Sequence, residues 1–308
     1  MAAAFDQGPR PFHIDSDLPR VDDSLWMGLA LAADVAVTGD HSLLPWAEAV
    51  FALAVANWDR PDGGVYWEES GAGGRQRAVV SNAPAVLLGV ELYRQTGRQW
   101  YLGWSQRMFG WLQRTLRDPV THLYDDHVAD PSRHAGDPDR HADRHADRHA
   151  AEHGGEHQPD RRHVGGGVAD PTVHTYTQGI VVGAAATLAE VDPARYPLKD
   201  AVALARRSMA YFGRHHTYGI PPFDVVWAEN VLGLAALDGD PGFTAMAQRS
   251  VRRAVAAERS HPGDLADTAA EAALRQLVRL PVAAYRDLWY TAPVDVTTPA
   301  GVSPAAGR

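Results

Sequence analysis

An all-α fold is what this sequence predicts, on three observations. Apolar residues recur at spacings of three and four through most of the chain, strand signal is nearly confined to GGVYWEES at 63–70, and the sequence repeats itself. Tyr101, Trp104, Met108, Trp111, Leu112 and Leu116 trace one stripe of an amphipathic helix. Sliding the chain by 58 residues aligns Thr38, Gly39, Leu44, Trp46 and Phe51 with Thr96, Gly97, Leu102, Trp104 and Phe109. A slide of 200 aligns Gly39, Asp40 and Ala47 with Gly239, Asp240 and Ala247. The repeating unit is a helix, a Gly-containing turn and a second helix, roughly fifty residues long, and about six would fill the chain. Such hairpins stack as an open solenoid or close into an α/α barrel whose loops converge on one central cleft.

Taken in order, Asp22 to Val37 opens with N-cap candidates, and Gly39 and Gly97 stand where C-terminal caps belong. Pro45 and Pro84 suit the first turns of two further helices. Later helical segments run over 100–116, 175–189, 198–212, 225–237, 243–257, 265–280 and 282–289. One segment breaks the pattern: Arg133 to Gly167 holds seven of the fifteen histidines and tandem DRHA. With almost no apolar content it cannot bury a core, and it reads as a low-complexity insertion in a single catalytic domain spanning 1–291. His141, His145, His149, His153 and His157 fall at intervals of four, which gives at most adventitious metal affinity. The Pro- and Thr-rich stretch 292–308 reads as a disordered tail.

Net charge is −9 with scattered Lys and Arg, so no basic stripe invites nucleic acid. No run of 18 apolar residues predicts a membrane span, and the start lacks the basic-then-apolar pattern of a signal. The chain as written is expected in the cytoplasm; a mature exported chain trimmed of its signal would read the same. Absence of cysteine removes disulfides, thiolate zinc sites and Cys nucleophiles. Nine Trp and ten Tyr suit a pocket for ring-shaped ligands, although core packing uses most of them.

The chemistry-bearing motif is DPVTHLYDDHVADP, where Asp125 and Asp126 follow the apolar Leu123 and Tyr124 at the end of a strongly helical segment. In a cleft each carboxylate would raise the other's pKa and hold one partly protonated, as acid/base work requires.

Gly63 to Trp67, SNAP around Asn82, the run from Tyr93 to Val128 and HTYTQGIVVGA from His174 resemble glycoside hydrolase family 76 from about Asp22 to beyond residue 212. The resemblance implies an (α/α)6 barrel and retaining endo-α-1,6-mannanase chemistry without cofactor or metal. It implies Asp125 as nucleophile and Asp126 as acid/base. It further implies an oligo- or polysaccharide partner, Asp22 and Asp23 as acidic cleft residues, and Tyr176 and Gln178 in the family's Tyr–Gln element. Trp67, Asn82 and Tyr124 complete the expected substrate-binding set. Thr177 and Val21 depart from the usual Asn and Trp, and FDVVWAEN around Asp224 and Glu229 lacks expected basic residues, which changes the far wall.

Two rival readings share the fold. A sugar epimerase or isomerase would move protons with histidines such as His174 or His216. A non-catalytic carbohydrate-binding relative would keep the cleft without turnover.

Overall fold

The computed structural model describes residues 20–68, 76–129, 162–164, 167–215, 217–257 and 265–288. Most of the His-rich segment, His216 and the tail lie outside the described residues. Nine α-helices are found among those described: α1 Val21–Thr38, α2 Leu44–Ala56, α3 Val79–Thr96, α4 Gln99–Thr115, α5 Thr175–Val191, α6 Leu198–His215, α7 Pro221–Asp238, α8 Pro241–Ala257 and α9 Leu265–Leu277, followed by a 3-10 turn over Val282–Leu288. Consecutive helices pair as four antiparallel hairpins, and α1, α3, α5 and α7 pack side by side as the inner layer, with α9 against α7. The fold is the helical-hairpin barrel type that the resemblance implies. No described helix is long and apolar enough to cross a membrane.

The internal repeat has a physical cause. Gly39, Gly97 and Gly239 end α1, α3 and α7 at φ 72°, 69° and 71°, the left-handed conformation in which a side chain is strained. Each glycine N–H donates to the carbonyl four residues back. In the first two hairpins the preceding Thr completes the cap: Thr38 donates to Asp34 O at 2.7 Å and accepts from Asp40 N–H, while Thr96 donates to Leu92 O at 2.6 Å and accepts from Arg98 N–H. Phe51, matched to Phe109 by the repeat, packs edge-on against Trp100 and Tyr101 of α4 at 5.5 and 5.3 Å.

Helix starts differ from the sequence reading. Arg20 occupies the N-cap of α1 without a side-chain cap bond, so Asp22 and Asp23 stand inside the first turn and neither caps the helix. Pro84 lies within α3, which begins five residues earlier at Val79.

Strand structure also lies elsewhere than expected. GGVYWEES contributes isolated bridges, Trp58 to Val65, Tyr66 to Arg77 and Arg20 to Glu68. A four-stranded antiparallel sheet is instead formed by β1 Arg77–Ala78, β2 His127–Ala129, β3 His163–Val164 and β4 Gly167–Asp170, in the order β1-β2-β4-β3. Strands of two to four residues carry no readable alternation. The sheet also takes in His163, Val164 and Gly167, the end of the segment read as an insertion.

The α5–α7 contact is a close helix crossing at the site end of the layer. A Cβ on Gly179 would lie 2.3 Å from Trp227 Cα, backbone that has no rotamer by which to move away. Gly179→Ala should therefore force the helices apart and cost about 1–3 kcal/mol, read as a lowered Tm. Gly103→Ala, with nothing within 4 Å of the new atom, is the neutral control.

Candidate active site

The Asp pair is held by its backbone from several directions. After α4, Asp118 Oδ1 accepts from Val120 N–H, Thr121 N–H and Thr121 Oγ1 at 3.0, 2.6 and 2.9 Å, turning the chain back on itself. His122 passes through the left-handed region at φ 58°. Gln178 on α5 then clasps Tyr124, accepting from its N–H at 3.0 Å and donating to its carbonyl at 2.7 Å. Asp125 N–H donates to Leu116 O, and Asp126 N–H to Asp170 O, both at 2.9 Å. Val79 N–H, at the start of α3, donates to Asp126 O at 2.9 Å.

The two carboxyls meet separate groups. Asp125 is 3% exposed and accepts from Arg162 Nη2; Arg162 Nε lies 3.6 Å from Asp118. Burial pushes Asp125 up to about 6, opposed by Arg162 and reinforced by Asp118 and Asp170. Asp126 Oδ2 lies 3.0 Å from His127 Nδ1. Burial acts on Asp126 too, but the hydrogen bond from His127 and the positive potential of His174 and His127 hold it below the usual range. Mutual charge repulsion, expected to hold one of the two partly protonated, is not what divides the pair. Their surroundings divide it, and Asp126 is the more acidic.

Asp126 belongs to a second cluster made from the N-terminal turns of the inner helices. Asp22 on α1 and Asp126 both act on the Tyr176 hydroxyl at the start of α5, which burial and these two charges raise well above its ordinary pKa. Asp22 itself is pushed up to about 6 by burial and by Asp23, while the indole of Trp67 and Arg20 hold the rise back. Arg20 stacks over Trp67 at 4.4 Å, and Val21 N–H donates to Trp67 O at 2.8 Å, fixing that ring to α1. His174, Tyr176 and Phe223 form an aromatic wall, Tyr176 to Phe223 at 4.2 Å. The Trp67 indole faces the Asp22 carboxyl, while Asp126 Oδ1 is buried without a hydrogen-bond partner.

Of the expected substrate contacts, Asp22, Asp23, Trp67 and Tyr176 come together around this cluster. Asn82, Tyr124 and Gln178 stand apart from it as buried braces. Asn82 is fully buried, accepting from Val65 N–H at 2.8 Å and donating to Ala78 O at 2.8 Å, so it braces the segment leading to Trp67. Tyr124 is 3% exposed and Gln178 fully buried, and the amide is spent on the Tyr124 backbone. Arg162 escapes sequence reasoning because it sits within the His- and Arg-rich run, where one arginine looks like the next. Cavities of about 370 and 540 Å³ open between α4 and α6 beside His122; Asp22, Asp126 and Tyr176 line neither.

Comparison with known proteins agrees with the resemblance read from the sequence. Residues 14–140 match the sequence model of "Glycosyl hydrolase family 76". Among solved structures, a family 76 glycoside hydrolase from a bovine Bacteroides thetaiotaomicron strain superposes with TM-score 0.60 at 21% identity, over 89% of this chain. The chain spans 55% of that protein's length. The GH76A alpha-1,6-mannanase of Salegentibacter sp. HEL1_6 gives TM-score 0.63 at 19% identity, over 84% of this chain and 75% of that one. An inactive variant of it, with two consecutive aspartates replaced by alanine, is solved in complex with alpha-1,6-mannotetrose and gives 0.63 at 18%, with the same coverage. No curated protein matches the chain.

The raised carboxyls make stability fall with pH. Asp22, Asp125 and Asp224 ionise near 6 and Glu229 near 7, burial being the leading cause in each. An acid whose pKa is higher folded than unfolded favours the fold below its unfolded value, and that contribution is lost as pH rises through the folded value. Asp126 has the opposite sign, and its contribution is lost only in acid. Tm should drop between pH 5 and pH 8. Asp224→Asn, which retains an acceptor for Gly219 N–H at 2.8 Å, should flatten the decline; a Tm that rises over this range would contradict the burial argument.

Proposed function

The chain resembles glycoside hydrolase family 76 in sequence over residues 14–140 and in fold over most of its length, and on that premise we propose that it hydrolyses α-mannoside linkages, α-1,6 foremost. The observation that carries this reading is the Asp126 carboxyl, whose Oδ1 is buried without a hydrogen-bond partner, set among Asp22, Trp67 and the aromatic wall. A buried polar atom without a partner costs about 1–3 kcal/mol. A hexose supplies what is lacking: a hydroxyl donor for the Asp126 carboxyl and an apolar ring face for the aromatics.

In the retaining reaction proposed here, Asp125, ionised above pH 6, attacks the anomeric carbon. The glycosidic oxygen leaves with a proton and a glycosyl ester forms on Asp125. Water then attacks the anomeric carbon, gives its proton back and releases the sugar with its original configuration. The acid/base role goes to Asp126 together with His127. Because Asp126 is held ionised in the free protein, the His127 contact is the route by which a proton is kept within reach of its carboxyl. Retention needs carboxyls about 5–5.5 Å apart, inversion about 6.5–9.5 Å. Asp125 and Asp126 diverge toward Arg162 and His127, so retention also requires Asp125 to turn toward the sugar when substrate enters.

With α-1,6-mannotetraose as substrate, the wild-type chain should release shorter oligosaccharides, with the α-anomer appearing first by NMR. Asp125→Ala and Asp126→Ala should each lower turnover at least ~10²-fold. Azide should partly restore Asp126→Ala on an activated aryl mannoside. A first-formed β-anomer would establish inversion, and undiminished hydrolysis by either variant would remove the pair from the mechanism.

A further inference from the structure

We propose that Arg162 is a positioning residue for this reaction, seating the Asp125 carboxylate beside a positive charge from which it turns to the sugar. The proposal rests on the reading of Asp125 as nucleophile, and its geometry comes from two independent attachments. The first is the side chain: Nη2 donates to Asp125 Oδ2, and Nε lies 3.6 Å from Asp118 Oδ2. Asp118 Oδ1 is spent on the Val120 and Thr121 turn, so its second oxygen is the one that addresses the guanidinium. The second is the backbone. Arg162 O accepts from Ala169 N–H at 2.8 Å, directly before β3, and β3 pairs with β4. β4 in turn pairs with β2, placing Asp170 opposite His127. Arg162 is thus fixed to the same small sheet that fixes Asp126 and His127.

The charges around Asp125 explain why a cation is needed there. Asp118 comes from the turn after α4 and Asp170 from the end of β4, and both add to the rise that burial causes. Asp170 Oδ1 accepts from Thr172 N–H and Oγ1 at 2.9 and 2.6 Å. Arg162 opposes the rise both through its hydrogen bond and through its charge. Without it, three carboxylates would lie together with no cation among them, and the rise at Asp125 would go unopposed. A protonated Asp125 has no free pair to attack an anomeric carbon.

Arg162→Met and Arg162→Lys separate this role from simple support of the sheet, because the Lys variant keeps the charge and the Met variant keeps only the length. The acid limb of kcat against pH should move up by about one pH unit or more in Arg162→Met. Turnover below pH 6 should then fall about tenfold for each pH unit that the limb moves, and recover toward pH 8. KM should stay near its wild-type value, and Arg162→Lys should restore most of the limb. Carboxyl ¹³C titration of Asp125 in the same full-length proteins reads the same displacement without any substrate, which keeps the result separable from the proposed hydrolysis. If the titration midpoint rises while no variant hydrolyses mannoside, the activity reading fails and the hold of Arg162 on Asp125 stands. An unmoved Asp125 midpoint in Arg162→Met would overturn the proposal. Higher turnover by that variant would also overturn it, showing that Arg162 only restrains Asp125.

Discussion

Everything at the candidate site depends on how the backbone of three consecutive residues, Tyr124 to Asp126, is pinned. Gln178 holds both polar groups of Tyr124 from α5, Leu116 at the end of α4 takes the Asp125 N–H, and Asp170 on β4 takes that of Asp126. Val79 at the start of α3 then donates to the Asp126 carbonyl. Four elements from distant parts of the chain thus converge on one short segment with full hydrogen bonds. Side chains carried by such a backbone inherit its position, whereas a loop of the same sequence in water would sample many. That is why the buried amide of Gln178 matters more as a clasp than it could as a substrate contact.

The helical hairpins supply the second constraint. Because each hairpin reverses the chain, α1, α3, α5 and α7 run the same way, and their N-terminal turns deliver Asp22, Val79, Tyr176 and Phe223 to one end of the layer. The glycine caps close α1, α3 and α7 at the opposite end. Helix N-termini carry partial positive charge and free N–H groups, so acidic side chains are tolerated there. Asp22 and Asp224 occupy such first turns, and burial still leaves each near 6. Desolvation outweighs the dipole at both positions. This end of the inner layer therefore holds carboxyls close to the protonation midpoint, with no basic residue needed on α7.

Much of this is legible in the sequence because it repeats with a period the eye can follow. The stripe through Trp104, Met108 and Trp111 places α4 to within a residue at each end, and the Thr-Gly pairs mark the ends of α1 and α3. What escapes lacks a period. Two-residue strands such as β1 and β3 have no alternation to detect, and Arg162 meets Asp125 across 37 positions. Asn82 and Gln178 stand out in their motifs, and their amides are spent on backbone groups: a motif shows that a residue matters, while only the fold shows what its amide meets.

Asp125 and Asp126 pose the general point in its sharpest form. They are the same residue, one peptide apart, yet one sits near 6 and the other below the usual carboxylate range. Repulsion between them would act equally on both and could not choose which keeps the proton. Unequal surroundings can. Arg162 faces a carboxylate that two further aspartates and burial are pushing toward neutrality, whereas His127 bonds directly to one whose neighbours are imidazoles. The charge states are thus set by residues outside the DD motif, and a chain that kept both aspartates but replaced Arg162 or His127 would retain the motif while changing which carboxyl keeps a proton.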